Sequence, residues 1–120
     1  MKIIIADDSI FVRNILVKAI ATHFPEAQII QCKNGLEALD AYNSAAPDWL
    51  ITDLLMPEMS GQELLGTLQK QGKNGKYIVI SADVQKGTRD EVDALGIAAF
   101  INKPLTADKL ALLIDQLKGE

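Results

Sequence analysis

Five short apolar runs recur along the chain: residues 2–6 (KIIIA), 28–32 (QIIQC), 48–53 (DWLITD), 77–82 (YIVISA) and 97–101 (IAAFI). Apolar residues follow one another in them rather than alternating with polar ones. A strand of that kind has no face it can show to water, so both faces of its sheet must be covered. The segments between the runs are long enough for a crossover helix and carry helical spacing. Strand and helix alternate five times, which predicts a parallel sheet with helices on both faces and right-handed crossovers.

The intervening segments support this reading. Ser9 can cap a helix, and Val12, Ile15, Leu16, Ala19 and Ile20 follow on one helical face until Pro25 ends the region. Asn34 and Glu37 make a capping-box-like start to a helix reaching about Ala45. Ser60 and Glu63 form a second capping box ahead of Leu64, Leu65 and Leu68, and Gly72 and Gly75 frame the exit turn. A weaker helix is expected over 85–95, with Val92 and Leu95 inward and Gly96 as its stop. Thr106 opens the last helix, whose apolar face is Leu110, Leu113, Ile114 and Leu117.

The 120 residues suit one domain, residues 1–120, with one core; 48% are hydrophobic and 23% charged, as in ordinary globular domains. No apolar run approaches the ~18 residues of a membrane helix, and acids interrupt the N-terminus where a signal peptide would stay apolar. A cytoplasmic address is the expectation. The net charge of −4 and the absence of a Lys/Arg cluster argue against nucleic acid as a partner. Cys32 is the only cysteine, which rules out an internal disulfide and a cysteine metal cluster. It reads as a small buried residue on a strand, and Trp49 as strand-start packing that could report on a site by fluorescence.

In doubly covered parallel sheets, ligands bind beyond the carboxyl ends of the strands. Asp7 and Asp8 follow the first run, Asp53 ends the third, Ser81 lies at the end of the fourth, and Lys103 with Pro104 follows the fifth. Singly, each has a plain reading: helix-start acids, a turn residue, a strand-end hydroxyl, a solvated lysine. Together they form a constellation only the fold could assemble. Two carboxylates ~5 Å apart repel by roughly 3 kcal/mol at an effective dielectric of 20. Three acids against one lysine therefore call for protons or a cation. The all-oxygen set suits a hard divalent ion such as Mg²⁺. With such an ion, Asp53 can act as a nucleophile toward phosphorus, and Lys103 and Ser81 are suited to hold phosphoryl oxygens.

The segments "ADDS", "TDLLMPEMSG", "SAD" and "FINKP", in this order and at strand ends, resemble the receiver domain of bacterial response regulators, in its stand-alone CheY-like form. The resemblance covers essentially the whole chain. It implies a flavodoxin-like (βα)5 sheet of order 2-1-3-4-5. It implies Asp53 as phosphoacceptor and Asp8 as direct Mg²⁺ ligand. Asp7 would hold a metal-bound water, and Leu55 would offer its backbone carbonyl to the metal. Ser81 is implied as the switch hydroxyl, Lys103 as the partner of the phosphate, with Pro104 fixing the turn beside it, and Phe100 as the switch aromatic. Phe100 stands where many members carry Tyr and has no hydroxyl to bond, so its switching would rest on packing. Leu55 and Asp83 stand at positions that vary in the family and flank the path of attacking water.

The implied function is a single-domain response regulator of a two-component phosphorelay, with chemotaxis one fitting pathway. It would be a phosphoacceptor signalling protein rather than an enzyme. Its partners would be a sensor histidine kinase or phosphotransfer protein, and a downstream target at the face of helix four, strand five and helix five, where Val84, Lys86, Phe100, Leu105 and Thr106 fall. A monomer is expected. An Mg²⁺-dependent phosphatase or mutase would need an acid where Leu55 stands. A flavin module would need an anion cradle where Asp7 and Asp8 stand. A receiver used only as an unphosphorylated scaffold would carry the same residues.

Overall fold

The computed structural model describes residues 1–83 and 85–119. The elements run β1 (Lys2–Ala6), α1 (Ile10–His23), β2 (Gln28–Cys32), α2 (Gly35–Ala45), β3 (Trp49–Asp53), α3 (Gly61–Lys70), β4 (Lys76–Ser81), α4 (Lys86–Asp93), β5 (Ala99–Asn102) and α5 (Ala107–Lys118). The strands form one sheet in the order β2-β1-β3-β4-β5, and every neighbouring pair is parallel.

Successive side chains on a strand point to opposite faces, and here each face meets helices. Ile3, Ile5, Ile51, Ile78, Ile80 and Ile101 pack with Leu16 and Ile20 of α1 and with Leu113, Ile114 and Leu117 of α5. Ile4, Leu50, Tyr77 and Val79 pack on the other side with α2, α3 and Val92 of α4. This double cover is why the strands are apolar without alternation.

The helix starts follow their caps. The Ser60 hydroxyl accepts the Glu63 N–H while the Glu63 carboxylate accepts the Ser60 N–H, closing a full capping box. At α2 the reciprocal bond shifts by one residue. Asn34 accepts from the Glu37 N–H, but the Glu37 carboxylate reaches the N–H of Lys33. Ser9 and Thr106 cap α1 and α5.

Several sequence expectations need correction. Ile15 is 42% exposed rather than on the core face of α1, because Leu16 and Ile20 alone face fully inward and Ile10 and Phe11 also lie outside. The fifth strand begins at Ala99, not at residue 97. Gly96, with φ of +79°, turns the chain, and the Ala98 N–H bonds the Tyr77 carbonyl before the regular ladder starts. Strand β4 is displaced one residue toward the N-terminus, to Lys76–Ser81. Trp49 is buried at the first residue of β3, about 13 Å of strand away from Asp53, which makes it a poor reporter of the strand's far end. Val84, expected on the partner face, lies outside the described residues.

Candidate functional site

The parallel topology brings the carboxyl ends of β1, β3, β4 and β5 to one edge. Asp7 and Asp8 leave β1, Asp53 and Ser81 are the last residues of β3 and β4, and Lys103 follows β5. A cavity of about 550 Å³ opens there, lined by Asp8, Asp53, Leu54, Leu55, Ser60, Gln62, Ser81, Ala82, Asp83 and Lys103. All five residues read from the strand ends are thus brought together.

Asp7 is 1% exposed and Asp53 is 6% exposed. The Lys103 ammonium bridges them, donating to Asp7 Oδ2 and to Asp53 Oδ2 at 3.0 Å each. The other oxygens are also engaged. Asp7 Oδ1 accepts the Ser9 N–H at 2.8 Å, and Asp53 Oδ1 accepts the Leu54 N–H at 2.7 Å. The Asp7 carbonyl accepts from the Arg13 guanidinium at 2.7 Å, which ties the strand end to α1. Asp8 stands exposed beside them.

Burial raises the Asp53 pKa above the usual carboxylate value, and the Asp7 charge raises it further; the bond from Lys103 offsets only part of this. Burial works against the charge of Lys103, but its bonds to Asp53 and Asp7 outweigh it and hold its pKa above the ordinary lysine value. The first shift describes a carboxyl withdrawn from water, and the second an ammonium held between two acids.

Backbone supports hold the geometry. The Lys103 N–H bonds the Ser81 carbonyl at 2.9 Å, and the Lys103–Pro104 peptide is cis. The Gly61 N–H bonds the Leu54 carbonyl at 2.8 Å, and a Cβ on Gly61 would strike the Asp53 carbonyl oxygen. Only glycine lets the start of α3 approach Asp53 this closely.

The donor set suits a hard divalent ion. One carboxylate oxygen each from Asp7, Asp8 and Asp53 lie within 4.8 Å of one another. Three carboxylates against the single ammonium of Lys103 leave excess negative charge for such an ion to balance.

Phe100 lies on β5 away from the cavity lining, half-buried, with the Arg89 guanidinium 5.0 Å from its ring centroid. Leu55 is 83% exposed. Sequence reasoning did not reach Arg13, Gln62, Thr88 or Arg89. Gln62 was findable as the first residue after the glycine of "MSGQ", but the other three carry no local signature. Cys32 is buried, and burial, helped by Glu37, pushes its thiol up to about 11, which matches its reading as an inert packing residue.

A doubly wound sheet of order 2-1-3-4-5 with three acids, a hydroxyl and a lysine at one edge defines a class of signalling switch. The family model described as "Response regulator receiver domain" matches residues 3–115, and the chain belongs to that family. Among similar proteins is the chemotaxis protein CheY of Listeria monocytogenes, 34% identical over 110 residues that cover 92% of each chain. The CheY of Thermotoga maritima is 30% identical and covers 97% of this chain and 96% of its own. Among solved structures, a Borrelia burgdorferi CheX–CheY–BeF3–Mg²⁺ complex matches with a TM-score of 0.88 at 26% identity, over 99% of this chain and 87% of that one. The chain is a receiver-domain homologue of CheY, consistent with a phosphorelay response regulator, and chemotaxis fits that kinship. Among the described residues, no helix is long and apolar enough to cross a membrane.

Proposed function

We propose that residues 1–120 act as one receiver unit in which Asp53 accepts a phosphoryl group from the phosphohistidine of a sensor histidine kinase or phosphotransfer protein. The observation that carries this reading is the Lys103 ammonium placed between the buried carboxylates of Asp7 and Asp53.

The Leu54 N–H fixes Asp53 Oδ1, which leaves Oδ2 as the attacking oxygen. That oxygen forms a bond to phosphorus as the donor's N–P bond breaks, and the electron pair returns to the imidazole. Lys103, already on Oδ2, is placed to follow the charge onto a phosphoryl oxygen. The Ser81 oxygen accepts the Asp83 N–H at 3.1 Å, so its own proton is free to be donated to a second phosphoryl oxygen. Asp8, Asp53 and the Leu55 carbonyl would hold Mg²⁺, which supplies the charge that lets a phosphoryl anion approach three acids. Asp7 is buried behind the cavity and, unlike Asp8 and Asp53, does not line it, which supports its acting through a metal-bound water.

Movement of Ser81 and Lys103 would propagate to Phe100 and shift the population of a face built from α4, β5 and α5, where Lys86, Phe100, Leu105 and Thr106 would meet a target. Leu55 offers no acid for turnover of phosphoesters, so we read the chain as a phosphoacceptor rather than an enzyme. We place it in the cytoplasm as a monomer.

Incubation with acetyl phosphate and Mg²⁺ followed by intact-mass measurement tests the reading. One phosphoryl adduct that disappears in Asp53→Ala is expected. No adduct, or one that survives the substitution, overturns it.

A further inference from the structure

Helix α4 begins without a cap of its own. Gln85 at its N-cap makes no side-chain bond, and the first turn holds no acid. The cap comes instead from Asp83, a residue that lines the phosphoryl cavity. Asp83 Oδ1 accepts the Gln85 N–H at 2.9 Å, and Oδ2 accepts the Thr88 hydroxyl at 2.8 Å. The Asp83 N–H in turn donates to Ser81 Oγ at 3.1 Å. Both carboxylate oxygens are therefore committed to α4, while the backbone of the same residue is committed to Ser81. These two bonds also hold the carboxyl below its usual pKa range, with the Gln85 N–H the larger influence and Thr88 the second.

A fourth carboxylate at this cavity is a hazard to a phosphorylated Asp53 in two ways. Unrestrained, it adds like charge to a site that already holds Asp7, Asp8 and Asp53 against Lys103, which opposes arrival of an anionic donor. It could also act as a general base. In that step a water oxygen forms a new bond to phosphorus and the Asp53 Oδ–P bond breaks with its electron pair returning to the carboxylate. The water proton passes to Asp83. Both routes lower the phosphorylated fraction.

We propose that Thr88 is a positioning residue that acts through Asp83, holding its carboxylate on α4 so that phosphorylated Asp53 accumulates and persists. This rests on the reading of Asp53 as the phosphoryl acceptor. The nearest alternative, that Thr88 serves only to stabilise the first turn of α4 through the same bond, predicts a lower unfolding midpoint in Thr88→Val with an unchanged phosphorylated-to-free ratio.

The test compares wild type, Thr88→Val and Thr88→Ser, and repeats Thr88→Val in an Asp83→Ala background. Valine keeps the shape of threonine and loses the hydroxyl; serine keeps the hydroxyl. The readouts are the phosphorylated-to-free ratio by intact mass at fixed acetyl phosphate and Mg²⁺, and the rate of phosphoryl loss after the donor is removed. Urea unfolding of each variant confirms that it is folded. Thr88→Val is expected to lower the ratio about threefold or more, the scale of losing one ordinary solvent-exposed hydrogen bond. Thr88→Ser should match wild type, and Thr88→Val should have no further effect once Asp83 is alanine. A wild-type ratio in Thr88→Val, a serine variant as impaired as valine, or an undiminished valine effect without Asp83 overturns the proposal. A wild type that takes up no phosphoryl group at all overturns the acceptor reading itself, and this inference falls with it.

Discussion

The two ends of the sheet are built from the same strands to opposite rules. Strand β3 starts at Trp49 and ends at Asp53; β4 starts at Lys76 and Tyr77 and ends at Ser81. At the starting end, polar groups other than the buried and unpartnered Trp49 Nε1 settle against neighbours that ask nothing of a ligand. Asp48 accepts the Lys2 N–H at 2.7 Å, the Tyr77 hydroxyl donates to the Lys73 carbonyl at 3.1 Å, and the Lys76 ammonium lies 5.0 Å from the centroid of the Trp49 ring. At the finishing end, buried carboxylates face each other across one lysine. The helices α1, α3, α4 and α5 all begin at that edge, and their N-terminal dipoles soften a negative load without balancing it. One end is arranged for stability. The other carries an excess of negative charge that a cation could balance.

The comparison can be broken most directly with lysines. Lys103→Ala should slow phosphoryl uptake from acetyl phosphate by on the order of a hundredfold, the usual consequence of deleting one charge-stabilising group at a reacting centre. Lys76→Ala, at the other end, should leave uptake within about twofold. Equal losses in the two variants, measured as initial rates by mass, would erase the distinction between the ends.

Glycines sharpen it next. In Gly61→Ala the new methyl meets the Asp53 backbone carbonyl, which cannot move without moving the site. A destabilisation of about 3 kcal/mol, with reduced phosphoryl uptake, is expected. In Gly75→Ala the methyl meets the Tyr42 hydroxyl and the edge of the Tyr77 ring, side-chain atoms that can partly yield where a backbone carbonyl cannot. About 1 kcal/mol and unchanged uptake are expected there. Urea unfolding midpoints and uptake rates decide both.

The smallest effect concerns Asp53 itself in the absence of divalent metal. Its carboxyl titrates higher folded than unfolded, chiefly because of burial and then the Asp7 charge. Folding therefore favours the protonated form. Its contribution to stability is full below the unfolded value and is lost as pH rises through the folded one. Asp53→Asn should accordingly stabilise the fold by about 1 kcal/mol at pH 7, and the gain should vanish on acidification below the unfolded value. Chemical denaturation in EDTA at several pH values measures it. A neutral or destabilising substitution at pH 7 would mean that Lys103 already balances the site.

Much of this was legible in the sequence, for reasons particular to each element. Runs such as "KIIIA" and "YIVIS" are apolar without alternation, and a doubly covered sheet is the arrangement that accommodates them. The capping box at Ser60 and Glu63 gave the start of α3 to the residue, because the signal and the structure are both local. Helix α1 misled at Ile15 because its apolar residues spread over more than one face. The start of β5 was misplaced because Ile97 is apolar and partly buried but packs against the α2–α4 side before the ladder begins.

The site divides in the same way. Which groups stand at the site was determined by the chain alone: carboxylates, a hydroxyl and a lysine stand where strands end, and strand ends can be read from local pattern. How those groups partner was decided by the tertiary structure. Lys103 lies 96 residues from Asp7 and 50 from Asp53 in sequence, and no local rule sets which oxygens it bridges. The Asp83–Thr88 bond depends on where α4 begins, and the Arg89 guanidinium meets Phe100 only once α4 is laid beside β5. The physical reason is range. Apolar patterning and capping act over a few residues, whereas the electrostatics of the site depend on distances that exist only after the sheet has closed.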